Sequence, residues 1–139
     1  NDVTGDAYQY GIITRFEETG EGMNRFCSYQ YDVGGVSYTL SGSTRFQAVG
    51  GPVRILGDLA SPDRLYPLIQ AQAGQIVGSQ FVAGSQKYTL SDSVAVYEFR
   101  SGQYFLSSLT RAEESQGSLT AWYDKAESDG GRVRIIVIK

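Results

Sequence analysis

The sequence predicts a mainly β, antiparallel protein of two similar small units, barrel-like or sandwich-like, with one or two short helices. Three observations point there. Seventeen glycines and ten tyrosines stand against one Met and one Trp in 139 residues, a composition suited to short strands joined by tight turns. Apolar and polar residues alternate through most segments, the period of a half-buried strand. A motif also repeats: Gly35 to Ser43 reads Gly-Val-Ser-Tyr-Thr-Leu-Ser-Gly-Ser, and Gly84 to Ser93 reads Gly-Ser-Gln-Lys-Tyr-Thr-Leu-Ser-Asp-Ser. A glycine turn followed by Tyr-Thr-Leu-Ser in both copies implies two related β units, residues 1–57 and 58–139, with Tyr38 and Tyr88 in equivalent places.

The elements follow in order. After a polar lead-in over residues 1–6, Tyr8, Tyr10, Ile12, Thr14 and Phe16 fall on one face of an alternating strand. Cys27, Tyr29, Tyr31 and Val33 do the same in a second strand, and the two pair as a hairpin with an acidic, glycine-containing tip. Asp32-Val33-Gly34-Gly35 is a tight turn, since glycine takes positive φ without steric cost, and Val36 to Leu40 returns as a third strand. Thr44 to Val49 continues the meander, and Val53 to Leu56 is another short strand. Ser61-Pro62-Asp63 has the order of a helix start, with Ser as the cap and Pro at the first helical position, and Pro67 limits that helix to about one turn. Leu68 to Val82 reads as a hairpin with Gly74 at its tip.

Tyr88 to Leu90 and Val94 to Phe99 are two strands about a Ser91-Asp92-Ser93 turn, and Tyr104 to Leu106 follows. The spacing of Leu106, Leu109 and Ala112 predicts a short helix over Ser108 to Glu114. Leu119 to Asp124 is a strand, Lys125 to Gly131 a polar loop, and Arg132 to Lys139 the last strand. Ile135 to Ile138 are apolar on both faces and should be central, whereas Arg132 and Arg134 place the start of that strand near an edge or rim.

Composition restricts function. With 41% hydrophobic and 19% charged residues the chain can bury a core, while a net charge of −3 argues against nucleic acid, whose phosphates need clustered Lys and Arg. The apolar run at Val133 to Ile138 is far short of the roughly 20 residues of a membrane helix, so no membrane insertion is expected in this segment. A start at Asn1, without an initiating Met, reads as an excerpt of a longer or processed protein. Cys27, the single cysteine, reads as a small buried hydrophobe. With no histidine, Ser-His-Asp, Cys-His and His-based zinc sites are excluded, and no phosphate loop with its lysine is present. The expectation is a protein that is not an enzyme and carries no cofactor.

Three candidate chemistries remain. Carboxylates such as Glu98, Glu113 and Glu114 are available as an acid and base for glycoside hydrolysis, with solvated surface charge as the ordinary explanation. Asp124, Glu127 and Asp129 form a loop suited to calcium, although Asp-Gly-Gly is also an ordinary hairpin turn. Trp122, Tyr97 and Tyr104 would make a sugar-stacking platform if their face is open, against the alternative of core packing.

A resemblance rests on Tyr10-Gly11-Ile12-Ile13, Gly35-Val36-Ser37-Tyr38, Ser91-Asp92-Ser93-Val94-Ala95-Val96-Tyr97, Tyr104-Phe105-Leu106-Ser107-Ser108-Leu109, Trp122-Tyr123-Asp124-Lys125 and Gly131-Arg132-Val133-Arg134. These resemble the β-rich region accompanying S-layer homology domains in cell-surface proteins of Gram-positive bacteria. The helical S-layer homology repeats themselves are absent from the chain. The resemblance implies an extracellular, cell-surface or cell-wall location and a non-catalytic spacer or interaction scaffold, with cell-wall polymer or another surface protein as partner. A carbohydrate-binding module and a hydrolase accessory or catalytic domain are the rival expectations.

Overall fold

The computed structural model describes residues 8–139, so the polar lead-in over 1–6 lies outside the described residues. The described chain is mainly strand, as expected, and one sheet curls into a half-barrel. Two compact units divide between Pro67 and Leu68, each with its own apolar core.

The first unit is one antiparallel sheet in the order β3-β2-β1-β4-β5, formed by β1 (Tyr8–Thr19), β2 (Phe26–Val33), β3 (Val36–Gly42), β4 (Gly51–Asp58) and β5 (Ser61–Pro67). The expected helix at Ser61-Pro62-Asp63 is therefore a strand. Gly57 at φ +98° and the Asp58 Oδ1 that accepts the Ala60 amide turn the chain back onto β4. β5 is an edge strand, where a proline removes no ladder hydrogen bond.

The alternation expected in β1 changes face at Thr14. Ile13 pairs with Tyr31 but Arg15 already pairs with Gln30, so a bulge inserts one residue and turns Ile13 and Phe16, not Thr14, toward the core. In β2 the expected pattern holds, with Cys27, Tyr29 and Tyr31 all buried. The segment Thr44 to Val49 is irregular rather than strand, yet it carries Phe46 and Ala48 inward. The Phe46 amide donates to the Tyr29 hydroxyl at 2.7 Å and the Ala48 amide to the Leu65 carbonyl at 3.2 Å. Those bonds meet the requirement that buried amides be paired where no ladder exists.

The second unit runs β6-β11-β12-β9-β8-β7, with β10 also on β9; its strands are β6 (Ile69–Gln70), β7 (Gln75–Val77), β8 (Gln80–Ala83), β9 (Gln86–Arg100), β10 (Gln103–Leu106), β11 (Leu119–Tyr123) and β12 (Val133–Ile138). The β7–β8 turn is Gly78-Ser79, with Gly78 at φ +62°, so Gly74 lies at the foot of the hairpin and not at its tip. A Cβ on Gly74 would meet the Val82 carbonyl at 2.2 Å, which explains the glycine there. β9 is one strand through the expected Ser91-Asp92-Ser93 turn. Leu90 pairs with Val133 and Ala95 with Ile135, so those serines form a bulge, and the Ser93 amide donates to Ser91 Oγ at 3.1 Å. The short helix α1 (Leu109–Glu113) forms as expected, with Ser108 Oγ accepting the Arg111 amide.

β12 is central and pairs parallel with β9, a departure from the otherwise antiparallel ladders. All six of its residues are buried, Arg134 among them, so its start is not at an edge. The two units share a strand-rich make-up but not a strand order. Tyr38 lies in the edge strand β3 and Tyr88 in β9, between β8 and β12, so the two residues are not topologically equivalent.

Candidate functional site

Both motif tyrosines nevertheless sit in stacked tyrosine pairs. Tyr38 stacks on its cross-strand neighbour Tyr31, with centroids 5.7 Å apart and planes at 15°. Tyr88 stacks on Tyr123 at 4.7 Å and 25°, although the two strands are separated by β12. Both members of this second pair are half-buried against the core of the second unit. Burial, followed by the Tyr123 hydroxyl to which it is hydrogen-bonded, raises the pKa of Tyr88 above the ordinary phenol value.

The Tyr88–Tyr123 pair lines a groove of about 500 Å³ with Gln86, Lys87, Ala126, Glu127 and Ser128. β9 supplies Gln86 to Tyr88, and the loop after β11 supplies the opposite wall. That loop is held at both ends. At its base Asp124 Oδ1 accepts the Lys125 and Arg132 amides at 2.9 Å each, while Oδ2 accepts Arg134 Nε at 2.9 Å. The Arg134–Asp124 pair is almost entirely buried, with side chains 7% and 4% exposed. Toward its middle, Glu127 accepts the Thr89 amide at 2.9 Å and the Thr89 hydroxyl at 2.7 Å. Burial works against the Glu127 charge, but these bonds and the Arg132 charge outweigh it and hold the carboxyl below its ordinary range. Gly131 closes the loop, because a Cβ there would lie 1.8 Å from the Lys125 carbonyl oxygen.

The residues expected to bind calcium are therefore not brought together. Asp124 faces Arg134, Glu127 faces Thr89, and Asp129 is exposed in a turn of 3-10 helix, Glu127–Asp129. No group of three His, Cys, Asp or Glu side chains gathers among the described residues. Glu98 is likewise engaged: Arg111 and Ser107 hydrogen-bond its carboxylate and hold it below the ordinary carboxylate range. Glu113 and Glu114 are exposed at the end of α1.

The expected aromatic platform shares one face of the second sheet, since Trp122 pairs with Ile135, Tyr97 with Val137 and Leu106, and Tyr104 with Phe99. It is not open. Tyr97 is 1% exposed, and Ile135 and Val137 beside it are also buried. Tyr104 is half-buried against Phe99, with centroids 4.8 Å apart. Trp122 is half-buried, and its Nε1 is shielded from solvent without a hydrogen-bond partner among the described residues.

The groove residues were visible in the sequence only in part. Tyr88 and Thr89 belong to the repeated motif, but their partners Tyr123 and Glu127 lie far along the chain and share no spacing with them. A second, smaller cleft in the first unit, about 190 Å³, is lined by Tyr29, Leu40, Ser41, Thr44, Phe46 and Ser61, among others. Its aromatic rings are buried in the core and it holds no charged group, so it offers less to a ligand. No family model matches the chain, and no curated protein or solved structure is significantly similar to it.

Proposed function

We propose that the chain is a non-catalytic module of a bacterial cell-surface protein, acting as a spacer and interaction scaffold. The observation that supports this reading is the use of its charged groups. Asp124, Glu98, Glu127 and Glu18 each engage arginine, threonine or serine side chains that fasten one element to another. A carboxylate bonded in that way is oriented for structure, and those of Glu98 and Glu127 are held below the ordinary carboxylate range, whereas a general acid needs its proton near neutral pH. The cell-surface location rests on the resemblance to the β-rich region beside S-layer homology domains.

The location is tested by antibody labelling. An antibody raised against this chain should label intact cells of the source organism, and deletion of the coding segment should remove the label. Labelling that appears only after lysis would overturn the proposal. A hydrolase reading would instead require glycan cleavage by the purified chain that is lost on Glu98→Gln.

A further inference from the structure

The geometry points to the Tyr88–Tyr123 groove as a binding subsite for a neutral pyranose unit of a glycan. This deepens the scaffold reading by giving it a ligand class, and rests on that reading for its setting. Three features of the groove carry the inference. Two half-buried phenol rings, stacked on each other, border it, and aromatic side chains with a polar end are the residue type that suits the C–H face and polar edge of a sugar. Around them stand an amide, an ammonium, a carboxylate and a hydroxyl, from Gln86, Lys87, Glu127 and Ser128. A ligand with a donor or acceptor on nearly every carbon can use all four, whereas a proline-rich peptide presents few such groups.

The third feature is preorganisation. The Thr89 bonds to Glu127, the Asp124 bonds at the loop base and the close packing of Gly131 fix the groove wall before any ligand arrives. Binding then orders little protein, which matters for a ligand that gains only modest energy per contact. Charge selects a neutral sugar over a polyanion. Lys87 and Glu127 bring one charge of each sign to the groove lining, and the whole chain carries a net charge of −3.

The test is a nuclear magnetic resonance titration of the full chain with cellohexaose, chitohexaose, polygalacturonate and decaproline, each to about 10 mM. We expect one or both neutral oligosaccharides to shift the amides of Gln86 to Thr89 and Tyr123 to Ser128. Tyr123→Ala should weaken that binding about tenfold or more, and Tyr88→Phe, which keeps the ring, by far less. Because Tyr123→Ala also removes core packing, Ser128→Trp serves as the second variant. It fills the groove from an exposed position and should abolish the shifts in a folded protein. The inference is overturned if neither neutral sugar shifts these amides, if shifts persist in Ser128→Trp, or if only polygalacturonate or decaproline produces them. Antibody labelling of cells is independent of this titration, so failure here leaves the surface-scaffold reading to be judged by its own experiment.

Discussion

Asp124 gives the sharpest stability prediction, because its two oxygens do different work. Oδ1 accepts two backbone amides of the groove loop, and Oδ2 meets the Arg134 guanidinium at 2.8 and 2.9 Å. Asp124→Asn keeps an acceptor for the amides but removes the charge facing a buried arginine. Breaking a buried pair from one side costs about 3 kcal/mol or more, since the remaining ion stays desolvated. Asp124→Ala should cost about 1 kcal/mol further for each of the two amides it releases. With a urea dependence of about 2 kcal/mol per M, the Asn variant should unfold about 1.5 M earlier than the parent chain. The double variant Asp124→Ala/Arg134→Met should recover much of the loss, because no buried charge is left behind. Arg15→Ala is the control: its pair with Glu17 is 66% and 58% exposed, and its loss should leave the urea midpoint almost unmoved. An Asn variant within about 1 kcal/mol of the parent would refute the claim that the pair is buried and structural.

Three further outcomes follow from particular sites. Ser101 holds φ +53° beside Gly102 in the β9–β10 turn, so Ser101→Asn, which gives the Asn-Gly pair favoured there, should stabilise the chain by about 0.5 kcal/mol or more; a lower melting temperature would contradict this. Tyr29→Phe strips the buried Phe46 amide of its acceptor and should cost about 1 to 3 kcal/mol in a denaturant titration, with a cost near zero arguing against the bond. Glu98 and Glu127 both have folded-state pKa values below their ordinary 4.5, so the stability they contribute is complete above that pH and is lost as pH falls through the folded values. Glu98→Gln should therefore flatten the fall in stability below about pH 4.5, and an unchanged acid limb would refute that role.

Fold class was legible because it depends on local signals that add along the chain. The tight turn at Gly34-Gly35 and the short helix that begins after Ser108 fell where expected, since a positive φ demands a particular residue nearby and helical spacing is local. Errors came where one residue changed the register. The bulge at Thr14 moved Ile13 and Phe16 to the core face, and the bulge at Ser91 to Ser93 turned an expected turn into continuous strand. A bulge leaves hydrophobicity unaltered and changes only what it means, so a period count cannot detect it. Ser61-Pro62-Asp63 misled for a related reason: proline suits a helix start and an edge strand equally, and only pairing with β4 decides.

The candidate site illustrates the same division between local and distant information. Asp124 to Asp129 looked like a cation loop because three carboxylates lie close in sequence, yet Asp124 and Glu127 take their meaning from partners elsewhere and Asp129 is exposed. Arg134 comes back to Asp124 because β12 pairs with β11, and Thr89 comes to Glu127 because β9 lies on the other side of β12. The central parallel strand is thus what assembles the groove: it spaces β9 and β11 so that Tyr88 and Tyr123 stack across it. Arg134, which the alternation of charge placed at a rim, is the residue that ties this central strand to the groove wall. A buried arginine inside the most apolar strand of the chain is costly unless a carboxylate is held for it. That cost is the physical reason Asp124 serves the fold, and the reason the sugar reading belongs to the tyrosines its loop positions and not to the acidic residues themselves.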